Sequence, residues 1–208
     1  MGRSVTVTGR GRASAAYDLA TLRLAASARA ANPSDATARA TYAMSAMREA
    51  VIGAGVDVAS LATTNVSLNP VHDPWPTVTG YEATLGLSVR VADLTSVGTM
   101  LVAAIDAGGD GARVDGITFG HADAAALEHD ARDLAYADAL DKAQQYAALA
   151  GQTLGEVRCM VEAEMSQGPQ PVRMTMAAMS DAAPVPVDAG EGGVTSVLTV
   201  TWALGPAV

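Results

Sequence analysis

The chain is poor in aromatic residues and in cysteine. Only 4% of its 208 residues are aromatic, although 50% are hydrophobic. Small side chains must fill most of the core, which predicts helices that approach a sheet closely and argues against a deep aromatic pocket. Cys159 is the single cysteine, so no intrachain disulfide can form, and we interpret it as a small buried strand residue. A chain of this length folds without metal or disulfide, and we expect no cofactor.

Positive charge is also scarce. The chain has 13 Lys and Arg residues against 22 Asp and Glu residues, which gives a formal net charge of −9. This balance argues against binding to nucleic acid or anionic lipid, because both require clusters of basic side chains. Arg3, Arg10 and Arg12 form a small basic group near the N-terminus, which we interpret as a solvated strand edge.

Long apolar runs are absent. No stretch of about 18 apolar residues occurs, so we expect no membrane insertion. The N-terminus enters the strand-like segment Val5-Thr6-Val7-Thr8 without a basic and then apolar leader. As it stands the sequence predicts a cytoplasmic protein, whereas a periplasmic or cell-envelope location follows if an export signal has been removed.

The segments that are present predict an α+β fold. Residues from about 18 to 120 follow the order β-α-β-β-α-β. The segments are strands from about Asp18 to Ala30, Val58 to Leu68, Tyr81 to Val91 and Val114 to Phe119, with helices ending near Ala54 and Ala107. Right-handed crossovers would place both helices on one face of an antiparallel sheet, in a ferredoxin-like core. We predict a single domain over residues 1–208, with an N-terminal strand before this core and an extension from about 121 to 208 after it.

The extension is predicted to contain a long helix and two strands. Alanine recurs at near-helical spacing from Asp123 to Ala150, and this alanine stripe should pack tightly against another element. The stripe consists of Ala131, Ala135, Ala139, Ala143 and Ala147. Strands are expected from Leu154 to Glu164 and from Val194 to Leu204. The first and last strands of the chain are the candidate sheet edges.

Two segments are predicted to interrupt regular structure. Gly9-Arg10-Gly11 should end the strand that begins near Ser4. The same residues begin like a dinucleotide-binding fingerprint, but Ser14 stands where the last glycine would fall and a strand follows. Asn69 to Pro76 contains three prolines and should form an irregular loop.

Short motifs spread along nearly the whole chain carry a family resemblance. They are Val5-Thr6-Val7-Thr8-Gly9-Arg10-Gly11, Asn69-Pro70 followed by Gly80-Tyr81-Glu82-Ala83, Ile117-Thr118-Phe119-Gly120, and Lys142-Ala143 followed by Gly151 and Leu154-Gly155-Glu156-Val157. In this order they resemble the SIMPL-domain family, the YggE-like proteins often described as oxidative-stress defence proteins. The resemblance implies a mixed α/β fold without an established catalytic residue set. It also implies that some members assemble into large homo-oligomers.

One group of side chains has the composition of a metal site. His121, His129 and Asp133 lie near the start of the long helix, and imidazole with carboxylate is a ligand set for Zn²⁺ or Mn²⁺. The alternative, which we favour, is a solvated helix start whose acidic residues complement the helix dipole. His72-Asp73 lacks the motif of an activated serine and is interpreted as a surface turn. We therefore predict no catalytic residue and no metal ligand.

Four residues are candidates for interaction. Trp75 is held among prolines and could anchor in a partner's pocket, although packing on its own sheet is the alternative. Met174, Met176 and Met179 lie in the long segment from Gln167 to Gly193. Their oxidation to sulfoxide would offer an oxidant response unless they serve as flexible core filler.

Three functions remain open at this point. The leading hypothesis is a non-enzymatic protein that self-associates through sheet edges or the alanine-striped helix, with a role in oxidative-stress tolerance implied by the resemblance. The alternative is a module that binds a peptide or small ligand with the loops 69–76 and 167–193. A metal-dependent hydrolase centred on His121 and His129 is the least favoured hypothesis.

Overall fold

A computed structural model describes residues 2–163 and 187–207 of the chain. In chain order the strands are β1 (Ser4–Ala16), β2 (Leu19–Ala30), β3 (Leu61–His72), β4 (Val78–Val91), β5 (Ala112–Gly120), β6 (Gln152–Glu162) and β7 (Glu191–Ala207), and the helices are α1 (Pro33–Gly53), α2 (Val97–Gly108) and α3 (Ala124–Leu149). Helices and antiparallel sheets occur together, which confirms the α+β class.

Contacts divide the described residues into two compact units. The four-stranded unit contains residues 17–122 and 187–189, and the three-stranded unit contains residues 2–16, 123–163 and 190–207. These boundaries lie close to the expected core limits near 18 and 120. That the whole chain behaves as one domain stays a prediction.

The four-stranded unit has the strand order β3-β4-β2-β5, and all neighbouring strands are antiparallel. Helix α1 connects β2 to β3, and α2 connects β4 to β5. One cluster of buried side chains joins the sheet to both helices, and Leu22, Leu24, Met47 and Met100 are its largest members at 2% exposure or less. This unit therefore has a conventional core of long apolar side chains on one face of a sheet.

Local sequence explains where α1 begins and which face it buries. The Asn32 side chain caps the helix by accepting a hydrogen bond from the Asp35 amide at 2.9 Å, and Pro33 occupies the first turn. Its buried residues recur every three or four positions. They are Ala36, Ala40, Ala43, Met47 and Val51. Tyr42 lies off this face and is 80% exposed.

Strand β3 is longer than predicted. The expectation of an irregular loop from Asn69 to Pro76 is wrong for its first half, because β3 continues to His72 and Pro70 pairs with Tyr81. Proline is tolerated in β3 because it is an outer strand, where every second amide faces away from the neighbouring strand and makes no ladder bond. The connection between β3 and β4 shrinks to residues 73–77.

The three-stranded unit has the strand order β1-β7-β6 with α3 packed against the sheet. Strand β1 runs without interruption through Gly9 and Gly11, so the predicted break there is wrong. A Cβ atom at Gly9 would overlap the Ala135 carbonyl oxygen, and one at Gly11 would overlap the Ala131 carbonyl oxygen. These glycines therefore serve close helix packing rather than chain reversal.

The alanine stripe of α3 provides the other half of this packing. All five stripe residues are buried, with exposures of 2% or less, which confirms the predicted tight contact. The closing strand β7 lies between β1 and β6 and is central, which corrects the expectation that the last strand forms an edge. Its central position follows from pairing with both neighbours along most of its length.

Candidate functional site

The predicted metal cluster is only partly assembled. His129 Nδ1 lies 3.4 Å from Asp133 Oδ2, and both side chains are more than 70% exposed. His121 instead stacks on Tyr17 with a ring-centroid distance of 4.9 Å. Within the residues the structure describes, no group of three or more His, Cys, Asp or Glu side chains is arranged to hold a metal ion.

Trp75 is presented at the tip of the β3–β4 hairpin. Its ring contacts His72 at a centroid distance of 4.5 Å, yet 77% of the residue is exposed. Two backbone hydrogen bonds close the turn: the Asp73 amide donates to the Thr77 carbonyl at 3.2 Å and the Thr77 amide donates to the Pro74 carbonyl at 2.9 Å. The indole is therefore displayed on a short, hydrogen-bonded turn. Met174, Met176 and Met179 lie outside the described residues.

Exposed apolar side chains lie on two of the outer strands. Strand β3 carries Val66 at 72% exposure and Leu68 at 45%, and β6 carries Met160 at 55% and Val161 at 58%. Among the described residues, the other two outer strands, β1 and β5, have no large apolar side chain exposed to this extent. Unpaired strand edges with apolar side chains are the usual templates for pairing with another chain.

The outer position of β6 also corrects the expectation for Cys159. The residue is exposed rather than buried. It lies on an outer strand, and among the described elements α3 is the only helix that packs on this sheet. Sequence alternation could not reveal this, since it shows which residues share a face but not whether anything covers that face.

The alanine-striped helix cannot offer its stripe to a partner. The stripe is buried within the three-stranded unit against β1 and β7. The exposed apolar residues of α3 lie on its other faces and are Leu134, Tyr136, Tyr146 and Leu149. The structure therefore removes the alanine stripe from the candidate interfaces and leaves the sheet edges.

A carboxylate on α3 holds the glycine strand in place. Asp138 Oδ2 accepts hydrogen bonds from the Arg10 amide at 2.8 Å and from Lys142 Nζ at 2.6 Å, and Lys142 Nζ also donates to the Thr8 carbonyl at 3.1 Å. The bonds from Lys142 and then from Arg10 lower the pKa of the Asp138 carboxyl. The i,i+4 pair was visible in the sequence, whereas its bridge to β1 was not.

A second ionic contact ties two strands of the four-stranded sheet. Arg29 and Glu82 are directly opposite each other on β2 and β4, and Arg29 Nη2 donates to Glu82 Oε2 at 3.3 Å. Ser27 donates to the same carboxylate at 3.0 Å. The Arg29 hydrogen bond, and then that of Ser27, lower the pKa of Glu82.

Sequence reasoning missed a third network, which joins α3, β6 and β7. Arg132 Nη2 donates to Glu128 at 3.3 Å, as the i,i+4 spacing predicts, but its Nε also donates to Glu162 at 3.0 Å. Ser196, a buried residue, donates to Glu162 at 3.1 Å. Glu162, and then Glu128, raise the pKa of Arg132. No local signal could have found this contact, because Glu162 is 30 or more residues from both partners.

Sequence comparisons identify the family. The model of the SIMPL family, a protein of unknown function (DUF541), matches residues 5–202. The chain is a member of the SIMPL family. This SIMPL protein is also 30% identical over 217 residues to the 26 kDa periplasmic immunogenic proteins of Brucella melitensis biotype 1 and Brucella abortus strain S19. Each alignment covers 95% of this chain and 83% of the relative. The resemblance inferred from the motifs is thereby confirmed.

No helix in the described part of the chain is both long and apolar enough to cross a membrane.

Proposed function

We propose that this SIMPL protein is non-enzymatic and self-associates through its outer strands β3 and β6. The observation that supports the proposal is the exposure of Val66, Leu68, Met160 and Val161 on these two strands. Backbone pairing along such an edge would supply directional hydrogen bonds, and the apolar side chains would supply burial. Because β3 and β6 are different surfaces, pairing of one with the other would form a ring if the rotation closes.

The biological role that we propose is oxidative-stress tolerance in the periplasm or cell envelope. The role is supported by the resemblance to YggE-like proteins, and the location by the names of the two Brucella relatives. A strain that lacks the gene should lose viability in hydrogen peroxide and recover it when the wild-type gene is restored. Equal survival of both strains would contradict the role without bearing on self-association.

Mass in solution tests the assembly. Size-exclusion chromatography with light scattering, at two protein concentrations, should give a mass well above the 21.0 kDa of one chain. Met160→Lys and Val66→Lys should each lower this mass, because a charge at the centre of a strand interface is left unpaired and buried. Tyr42→Lys is the matched control, since Tyr42 is 80% exposed and lies on α1 rather than on either outer strand. A wild-type protein that is monomeric at both concentrations would overturn the proposal.

A second candidate function is binding of a peptide or small ligand at the β3–β4 hairpin. The exposure of Trp75 favours it, because large aromatic side chains often anchor interfaces. Native mass spectrometry of the purified protein should then detect a bound species that is lost in Trp75→Ala. Val78→Ala, an exposed neighbour on β4, is the control. The second loop of this proposed binding site, residues 167–193, lies mostly outside the described part of the chain.

A further inference from the structure

A depression of about 360 Å³ lies in the three-stranded unit between α3, β6 and β7. Its polar lining residues are Arg132, Asp133, Glu162 and Ser196. Its apolar lining residues are Tyr136, Met160 and Leu198. This volume falls in the range of sites for small organic molecules.

The lining is polar at one end and apolar at the other. On α3, Tyr136 lies one turn beyond Arg132. On β6 the apolar Met160 lies two positions before Glu162, and on β7 the apolar Leu198 lies two positions after Ser196. Because β6 and β7 are antiparallel, the steps from polar to apolar residue on the two strands run toward the same end of the sheet. Tyr136 lies toward that end as well, since its ring centroid is 6.3 Å from that of Trp202, further along β7. The pocket is therefore amphipathic along its length.

The polar end is organised around the Glu162 carboxylate. Oε1 accepts hydrogen bonds from Arg132 Nε at 3.0 Å and from Ser196 Oγ at 3.1 Å, whereas the described contacts of Oε2 are limited to Arg132 Nε at 3.2 Å. Glu162 is 46% exposed, so Oε2 retains room for a further donor. Contacts from both the helix and a strand fix the carboxylate before any ligand arrives.

The charge at this end is negative. Among the lining residues Arg132 is positive and Asp133 and Glu162 are negative, and Glu128, which pairs with Arg132 from outside the lining, brings the net charge to −2. A protonated His129, which pairs with Asp133, would reduce this net charge to −1. The two nitrogens of Arg132 that make hydrogen bonds, Nε and Nη2, already donate to carboxylates. An anion would therefore be repelled, and a cation attracted.

We propose that this pocket binds a small aliphatic amine. The ammonium group would donate to Glu162 Oε2 and Asp133, and the hydrocarbon part would lie against Tyr136, Met160 and Leu198. The ring of Tyr136, which is tilted at 45° to that of the buried Trp202, adds an aromatic face for the cation. This binding site goes beyond the proposed self-association, with which it shares Met160 of β6.

Titration with 1,5-diaminopentane tests the proposal. In ¹H–¹⁵N spectra of the full chain, saturable shifts are expected at residues 132–136, 160–162 and 196–198. Hexanoate and pentan-1-ol, which have comparable hydrocarbon parts, should not saturate the same signals. Binding should weaken as salt is added, because the charged groups are partly solvated. Equal binding of hexanoate, or no saturable shift at these residues, would overturn the proposal.

Two variants separate binding from folding. Glu162→Gln and Asp133→Asn should each raise the dissociation constant about tenfold, as expected for a charged hydrogen bond. Asp133 is 72% exposed, so its variant should keep the wild-type unfolding midpoint even if Glu162→Gln does not. Glu156→Gln is the matched control because Glu156 is an exposed carboxylate on β6 outside the pocket. Unchanged affinity in Asp133→Asn, or an equal loss in Glu156→Gln, would contradict the proposed contacts.

Discussion

Long side chains fill the space between sheet and helices in the four-stranded unit, whereas helix and sheet backbones nearly touch in the three-stranded unit. Leu22, Leu24 and Met47 form the first core. In the second, Gly9 and Gly11 lie directly beneath the alanine stripe of α3. Both solutions bury an antiparallel sheet against helices. The first depends on its long side chains, whereas the second depends on Gly9 and Gly11 having none, beside a smaller cluster around Trp202.

The two cores should therefore differ in which substitutions damage them. A core of long side chains loses stability when a side chain is shortened, because a cavity forms. A glycine–alanine contact loses stability when a side chain is enlarged, because two backbones must separate. The predictions below test this contrast, beginning with the largest expected effect.

Gly9→Val should be the most damaging substitution. Its Cβ would overlap the Ala135 carbonyl oxygen and lie 2.6 Å from the Ala139 amide nitrogen. We expect the free energy of unfolding in urea to fall by at least about 4 kcal/mol, since neither backbone can yield locally. Gly53→Ala is the control because nothing lies within 4 Å of its added Cβ. A loss in Gly9→Val no larger than about 1 kcal/mol would show that α3 is free to move away.

The same variant tests whether the chain is one domain. If it is, wild type and Gly9→Val should each unfold in one transition, with equal calorimetric and van't Hoff enthalpies. Two transitions, with only one shifted by Gly9→Val, would establish that the units unfold independently.

Leu24→Ala should have the next largest effect. Leu24 is 1% exposed in the four-stranded unit, and its truncation should cost about 3 kcal/mol of unfolding free energy. Ala139→Gly, the corresponding truncation in the stripe, should cost only about 1 kcal/mol, mainly from helix propensity. Equal losses in the two variants would remove the distinction between the cores.

Acid sensitivity should show the smallest difference. The pKa values of Glu82 and Asp138 are lowered from 4.5 and 3.8, so each carboxylate stabilises the fold above those values, and this contribution disappears as pH falls below them. Glu82→Gln and Asp138→Asn should each reduce the loss of unfolding free energy between pH 7 and that acidic range. Glu49→Gln, a 74% exposed carboxylate on α1, is the control. Curves parallel to wild type would contradict a stabilising role for the two contacts.

Local signals in the sequence predicted the order of the helices and strands but not the bounds of β1 and β3. Asn32 and Asp123 cap α1 and α3 by accepting hydrogen bonds from amides three positions further on, and Asp138 pairs with Lys142 at i,i+4. These interactions join residues no more than four positions apart. Their geometry follows from helix formation alone, so a pattern in the sequence predicts them.

Signals that depend on a distant partner were misinterpreted. Gly9 and Gly11 have the composition of a turn, and Pro70 that of a loop, yet all three lie within strands. Their roles depend on α3 lying against β1 and on β3 being an outer strand. The sequence contains both residues of each contact but not the information that they meet.

By itself, the sequence determined the family, the α+β class and the alanine stripe of α3, because each was inferred from short patterns of neighbouring residues. Tertiary structure alone decided that β7 is central, that β3 and β6 display apolar edges, and that Glu162 joins Arg132 and Ser196. The physical reason is separation along the chain: the Arg10–Asp138 contact, for example, spans 128 residues. Such contacts arise from packing and pairing of whole elements, which no local pattern specifies.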